Sequence, residues 1–252
     1  MQKFRIIPKL EIKGPNVVKG MRMEGLRVVG QPEEMSKKYV FDGADEILLL
    51  DTVASLYNRN QLHAIVSTVS KNIRIPLITG GGLRSIEDIS EVLRSGADKV
   101  SINTSAHRDV SIIDRASKSF GSQSIVASVQ AKKRDESLWE ALFLNGREKS
   151  GLDVLDWCKK LVDQGAGEII LTSIDRDGTR LGPDRKLIES VLMTISVPII
   201  VSGGLTNEDD LLWIAKSGAA GVAVGRSLHF SEFSVTSFKK FLKSNDIAIR
   251  LG

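Results

Sequence analysis

The sequence matches itself at one fixed displacement. Shifted by 122 residues, the stretch from Pro76, PLITGGGLRSIEDISEVLRSGADKVSINTS, lies over the stretch from Pro198, PIIVSGGLTNEDDLLWIAKSGAAGVAVGRS, without a gap. Gly82 falls on Gly204 and Gly96 on Gly218. The same offset sets Gly43-Ala44-Asp45-Glu46-Ile47 over Gly165-Ala166-Gly167-Glu168-Ile169. A match that runs through several consecutive elements marks a duplicated half-domain rather than a shared motif. The fold must therefore accommodate two similar halves, about 1–122 and 123–252.

Each half alternates short β-rich runs with longer amphipathic ones. The expected strands lie near 4–11, 46–51, 76–79, 98–103, 123–130, 167–173, 198–202 and 221–225, and the expected helices include 32–42, 60–71, 85–95, 151–164, 206–217 and 234–244. Several helices end at glycine just before the next strand, as at Ser95-Gly96 and Ser217-Gly218. At 252 residues, composition allows one large α/β domain or two small ones. The duplication decides: eight βα units with internal two-fold symmetry fit a single (β/α)₈ barrel over 1–252, whereas an open doubly wound sheet explains the alternation but not the repeat.

Charge and composition exclude several functions. A net charge of +4 with Lys and Arg dispersed along the chain suits an anionic small molecule or partner, and it lacks the clustered basic stretches of a nucleic-acid binder. No apolar run approaches the roughly 20 residues that cross a bilayer. The N-terminal Met1-Gln2-Lys3-Phe4-Arg5 enters a strand-like run without a signal-peptide core, so a cytoplasmic protein is expected. The single cysteine, Cys158, sits in a helical pattern and reads as inert packing. His63, His107 and His229 share no ligand spacing, so neither a metal site nor a cofactor is expected.

In such a barrel the active site lies at the C-terminal ends of the strands. Thr79-Gly80-Gly81-Gly82 and Ser202-Gly203-Gly204 end strands three and seven, and their glycines let backbone N–H groups approach an anion. Asn103-Thr104 and Gly225-Arg226 end the neighbouring strands. Two symmetry-related phosphate sites follow, and their ligand should be long with a phosphate at each end. The same glycines also serve tight turns. Asp175-Arg176-Asp177-Gly178-Thr179 offers the rim two carboxylates, a turn and a hydroxyl, either for ribose or phosphate or as an Asx-type turn.

Strand one is unusual. Its period of two puts Arg5, Ile7, Lys9 and Glu11 on one face, so the barrel interior receives three charges that need partners from other strands. Glu46 and Glu168, identical across the repeat, and Lys99 lie near the starts of their strands, level with Arg5. A ring of Arg5, Glu46, Lys99 and Glu168 at the barrel bottom is expected, either as a salt-bridged plug or as a gate for a small polar molecule.

These residues carry a family resemblance. IIPKLEIK, VVKG, DGADEILLLD, PLITGGGLRS, GADKVSINT, FGSQSIV, GAGEIILTSIDRDGT and VSGGL, spread over roughly 1–230, resemble the HisF cyclase family. The resemblance implies a two-phosphate substrate and ammonia delivered through the barrel from a HisH-like glutaminase docked on the N-terminal face near Asp98. It assigns the gate to Arg5, Glu46, Lys99 and Glu168, and phosphate binding to Gly82, Asn103, Thr104, Asp177, Gly178, Gly204 and Gly225. Lys19 on the first loop matches too, and Asp51, which closes DGADEILLLD, joins Lys9 and Lys19 as a further pocket candidate.

The departures are equally specific. The family's two catalytic aspartates correspond to Glu11 and Gln130 here. Gln130 has no titratable proton, where a placed acid or base supplies about 10²–10⁴ in rate. Glu11 is one methylene too long, and about 1 Å of misplacement costs on the order of 10²-fold. Lys9 stands where the family has a small uncharged residue and is placed to pair with Glu11, while Arg226 replaces a small phosphate-site residue. Intact gate and phosphate loops with an altered acid–base pair resemble the HisF-like proteins of surface-polysaccharide sugar amidation, which feed ammonia to an ATP-dependent sugar amidotransferase. The second reading is an authentic cyclase of histidine biosynthesis. The sister sugar-phosphate isomerase is disfavoured by Gln130 and by the gate.

Overall fold

The computed structural model describes residues 3–54 and 62–250. The start of the expected helix at 60–71 lies outside them, and its remainder forms Leu62–Ser70. Eight parallel strands close on themselves: β1 (Arg5–Lys13), β4 (Ile47–Asp51), β5 (Leu77–Gly80), β6 (Lys99–Ile102), β7 (Ile125–Asp135), β10 (Glu168–Ser173), β11 (Ile199–Ser202) and β12 (Gly221–Val224). Closure comes from β1 pairing with β12, Arg5 opposite Gly221, and from β7 pairing with β10, Gln130 opposite Thr172. The expected (β/α)₈ barrel is the observed fold.

Alternation along each strand sorts side chains between two cores. Inward residues Ile7, Leu48, Ile78, Val126, Ile170, Ile200 and Ala223 form a closed apolar layer inside the barrel. Their outward neighbours, among them Ile6, Leu49, Leu77 and Ile169, join a larger cluster with buried residues of the surrounding helices such as Val66, Ile89, Trp157 and Leu211. Burial on both faces explains why these strands read as nearly continuous apolar runs.

The repeat extends to fine detail. Ser85 caps the helix Ile86–Arg94 by accepting from Asp88 N, and Asn207, its mate at the 122-residue offset, caps Glu208–Lys216 by accepting from Asp210 N. Each cap satisfies an otherwise unpaired amide, worth about 1 kcal/mol.

All eight expected strands are present, and several elements depart from expectation. Gly151–Asp153, expected as the start of a helix, ends strand β9 (Glu148–Asp153), and the helix runs Val154–Asp163. Residues 123–124 belong to a short 3-10 turn, Ser122–Ser124, before β7. Two hairpins were not foreseen: β2 (Asn16–Met21) with β3 (Glu24–Gly30), and β8 (Leu138–Phe143) with β9. They too are repeat mates, because the left-handed turn residues Arg22 and Met23 recur as Leu144 and Asn145. Turns of this kind favour Asn-Gly, and Arg22-Met23 carries no such signal. Helices Thr104–Arg108, Ser111–Phe120, Arg185–Thr194 and Arg226–His229 complete the outer ring. Among the described residues, no helix is long and apolar enough to cross a membrane.

Candidate functional site

The inward face of β1 is a ladder of charge. At its foot Arg5 donates from Nη1 to Glu46 Oε1 at 2.9 Å and from Nη2 to Glu168 Oε1. Lys99 Nζ completes the ring, 3.0 Å from Glu168 Oε2 and 3.3 Å from Glu46 Oε1. Burial opposes the charge on Arg5, but Glu168 and Glu46 outweigh it and raise its pKa. The four residues expected to meet at the barrel bottom do meet there, each cation touching both carboxylates. Asp98 lies at the same end, its Oδ2 accepting from Leu77 N at 2.8 Å.

Above the ring comes the apolar layer containing Ile7, and above that a second charged cluster. Lys9 Nζ is 2.9 Å from Glu11 Oε1, so the expected pairing across one strand repeat exists. Lys19 reaches in from β2, with Nζ 2.6 Å from Glu11 Oε2 and 2.9 Å from Asp177 Oδ2. Lys9 Nζ lies 3.8 Å from Asp177 Oδ1. All four side chains are at most 5% exposed. Burial favours the neutral acid of Glu11, yet Lys19 and Lys9 overcome it and hold its carboxyl well below the usual range. Burial likewise opposes the charge of Lys19, and Glu11 and Asp177 raise its pKa. Glu11 is thus a clamped carboxylate with little tendency to take a proton.

The hairpin β2–β3 folds onto the rim. Arg22 N donates to Asp177 O at 2.7 Å, and a Cβ on Gly178 would stand 2.3 Å from Gly20 O, so only glycine allows this approach.

Two pockets open at the top. The first is lined by Lys9, Glu11, Asp51, Gly82, Asn103, Thr104 and Gln130, with Ser101, Ser128 and Thr172 beneath. The second is lined by Lys9, Asp177, Gly178, Gly204, Gly225 and Arg226. Every residue expected in the pocket thus borders one of these two hollows except Lys19, which pairs with the lining carboxylates Glu11 and Asp177. Their glycine loops are equivalent in detail: a Cβ on Gly81 would stand 2.3 Å from Asp51 O, and one on Gly203 2.8 Å from Ser173 O, with both φ angles positive.

Some candidates are already engaged. Thr104 Oγ1 accepts from Leu144 N at 3.2 Å, and Arg226 donates to Glu232 Oε1 at 3.1 Å. Asp175, expected at the rim, is tied to Lys132 Nζ at 2.6 Å and to Lys133 N, which leaves Asp177 as the loop's inward carboxylate. Asp51 Oδ1 accepts from Val53 N and Ala54 N, both at 2.9 Å, and burial raises its pKa despite these bonds. Gln130 Oε1 is buried and has no hydrogen-bond partner among the described residues.

Sequence reasoning missed one participant. His229 Nε2 lies 3.0 Å from Lys9 O and its Nδ1 2.7 Å from Tyr39 Oη. A carbonyl only accepts, so Nε2 carries the proton and Nδ1 accepts from the tyrosine. Burial lowers the His229 pKa to about 4 and keeps the ring neutral. The bond to Tyr39 spans 190 residues and leaves no local signal. Cys158 is buried, and burial pushes its thiol up to about 12, as suits packing. The described residues hold no cluster of three or more metal-ligating side chains.

A closed parallel barrel with an ion ring at its foot and twin glycine loops at its mouth is a duplicated (β/α)₈ barrel whose two halves present equivalent pockets. A family model described as "Histidine biosynthesis protein" matches residues 5–234. Imidazole glycerol phosphate synthase subunit HisF of Legionella pneumophila is 49% identical over 205 residues, covering 81% of this chain and 97% of that protein. The HisF subunit of Helicobacter hepaticus is 42% identical over 247 residues, 98% of each chain. The chain belongs to the HisF family.

Proposed function

We propose that this chain is the barrel subunit of a glutamine-dependent complex, receiving ammonia through the ring at its foot and holding a doubly phosphorylated ligand at its mouth. The observation that carries this reading is the alignment, along one face of β1, of the ring at Arg5, the apolar layer at Ile7 and the two glycine-loop pockets that meet at Lys9. A HisH-like glutaminase docks on the face that carries Asp98. Its ammonia passes Arg5, Glu46, Lys99 and Glu168 and crosses the apolar layer. Gly82, Asn103 and Thr104 hold one phosphate; Gly178, Gly204, Gly225 and Arg226 hold the other, with Asp177 orienting its loop.

Two readings of the ammonia's fate follow. The relatives are named as subunits of imidazole glycerol phosphate synthase, which supports the cyclase reading: ammonia attacks the bound ribonucleotide, the imidazole ring closes and an aminoimidazole carboxamide nucleotide leaves. Asp51, which lines the first pocket together with Gln130, is then the titratable group placed to exchange a proton with the ligand. The clamped state of Glu11 supports the other reading, in which cyclisation is weakened and the barrel passes ammonia to a sugar amidotransferase of surface-polysaccharide synthesis. A base that two ammonium groups hold ionised is a poor proton acceptor.

An ammonia-dependent cyclase assay separates them, comparing the wild type with Glu11→Ala and with the double variant Glu11→Asp, Gln130→Asp. Wild-type turnover lost in Glu11→Ala establishes the cyclase and makes Glu11 catalytic. A silent wild type beside an active double variant establishes a scaffold whose chemistry was removed at two positions.

A further inference from the structure

The repeat is also an internal control, because side chains that the barrel itself requires recur in both halves. Ser105 Oγ donates to Leu83 O, and its mate Ser227 Oγ donates to Leu205 O at 3.0 Å, so this serine belongs to the fold. Its basic neighbours do not recur. At the same offset Arg84 falls on Thr206 and Arg108 on Phe230. A backbone that accepts threonine and phenylalanine at these places does not need arginine there.

Both arginines open onto one hollow of about 160 Å³, lined by Arg84, Ser105, Arg108, Asp109, Ile112 and Arg115. It lies between the loop after β5 and the helices Thr104–Arg108 and Ser111–Phe120. We propose that this hollow is an anion site distinct from the two pockets at the mouth, and that it takes a phosphoryl group that is not part of the mouth ligand. It shares only Ser105 with the first mouth pocket, and the hydroxyl of that serine is tied to Leu83 O, which keeps the two spaces apart.

The charge of the hollow is uncompensated. Three guanidiniums border it against one lining carboxylate, and that carboxylate is already engaged. Asp109 Oδ2 accepts from Arg115 Nη1 at 3.1 Å, while its Oδ1 accepts from Ser111 N at 3.0 Å and from Ser111 Oγ at 2.6 Å. Glu87, which is fully exposed, also acts on Arg115. Arg84 donates from Nη2 to Ala54 O at 3.0 Å, a bond that fixes the side chain without cancelling its charge. Arg108 has no hydrogen-bond or ion-pair partner among the described residues. Two cations on separate elements thus face one concave space whose lining includes the buried Ile112. A dianion with three acceptor oxygens answers both, because each planar guanidinium presents a fork of donors that matches a phosphoryl group.

The test is calorimetric titration of the full chain with inorganic phosphate. The wild type is compared with the double variant Arg84→Gln, Arg108→Gln and with the control Lys37→Gln, Lys159→Gln, each first shown by circular dichroism to be folded. The control removes the same charge from exposed helix positions away from the hollow. The wild type is expected to bind one phosphate more per chain than the arginine variant, whose hollow loses on the order of 10- to 10²-fold in affinity. The lysine control is expected to match the wild type. Arg108→Lys keeps the charge but loses the planar fork, and is expected to fall between. Equal stoichiometry and affinity in wild type and arginine variant overturns the site, as does phosphate binding in none of the proteins. An equal loss in the lysine control, or full wild-type affinity in Arg108→Lys, reduces the hollow to diffuse surface charge and overturns it too. Phosphate held at the mouth is what survives in the arginine variant, so failure of the mouth reading and failure of this site are told apart.

Discussion

The foot and the mouth of this barrel hold the same set of charges in different solvents. Arg5 and Lys99 face Glu46 and Glu168 at the foot; Lys9 and Lys19 face Glu11 and Asp177 at the mouth. Both sets sum to zero. The foot cations are 15% and 20% exposed, the mouth cations 2% and 3%. A charge that keeps part of its hydration can leave its partners and return at modest cost, which suits an opening that must cycle. A fully desolvated charge cannot leave without stranding its partner, which suits a fixed part of the site.

The comparison is broken most directly at Lys19. Lys19→Met leaves Glu11 and Asp177 with Lys9 alone, so one buried carboxylate is uncompensated and the expected loss of stability is about 3–5 kcal/mol. Urea unfolding measures it. A loss below about 1 kcal/mol, typical of an exposed pair, means that the mouth is no drier than the foot.

The mouth also makes a pH prediction. The folded-state pKa of His229, about 4, lies below its ordinary value of 6.5, so between them the unfolded chain binds more protons. Stability is complete above pH 6.5 and falls as pH drops toward 4, by about 1.4 kcal/mol per unit and roughly 3 kcal/mol in all. His107, likewise lowered to about 4 by burial, adds to the same slope. Glu11 enters only at the acid edge of this window, since its contribution begins to fall as pH drops below the ordinary value of 4.5 and is lost as pH continues toward its depressed folded value. His229→Gln should therefore remove about half of the decline in midpoint between pH 6.5 and 4, read by thermal melts across that range. An unchanged slope places the pH dependence elsewhere.

At the foot, Glu168→Gln leaves Arg5 and Lys99 sharing Glu46. Partial hydration of both cations limits the expected loss to about 1–2 kcal/mol, intermediate between exposed and fully buried pairs. A loss matching that of Lys19→Met means that the ring is a rigid plug and weakens its reading as a gate.

The foot was more legible in the sequence than the mouth, and the reason is geometric. A period of two in β1, with the equivalence of Glu46 and Glu168 in the repeat, suffices to bring four residues level. The Lys9–Glu11 pair needed the same rule alone. Lys19 meets Glu11 and Asp177 only because a hairpin bends over the rim, and Arg22-Met23 carries no turn signature to announce it. The repeat did contain the clue, since the second hairpin turns at Leu144-Asn145 at the same offset. Asp175 and Asp177 looked equivalent as rim carboxylates, yet Lys132 on the neighbouring strand end claims one of them. Tyr39, His229 and the Lys9 carbonyl come from three elements, and no local pattern connects them.

The smallest expected effect calibrates the others. Lys37 and Glu33 form an i,i+4 pair at 2.7 Å on the helix Pro32–Phe41, with side chains 49% and 40% exposed. The distance is within 0.1 Å of the shortest at the mouth, Lys19 to Glu11 at 2.6 Å, so distance alone predicts nearly equal worth. Hydration argues otherwise: both ions keep most of their water, and holding two long side chains in one geometry has an entropic cost. Lys37→Ala should therefore cost only about 0.2–0.5 kcal/mol and less in high salt, because exposed charges are screened within about 10 Å at 0.1 M. The mouth cluster, closed to ions, should keep its Lys19→Met loss nearly unchanged over the same salt range. Equal salt sensitivity at the two sites means that water and ions reach the mouth cluster and that its burial does not set its worth.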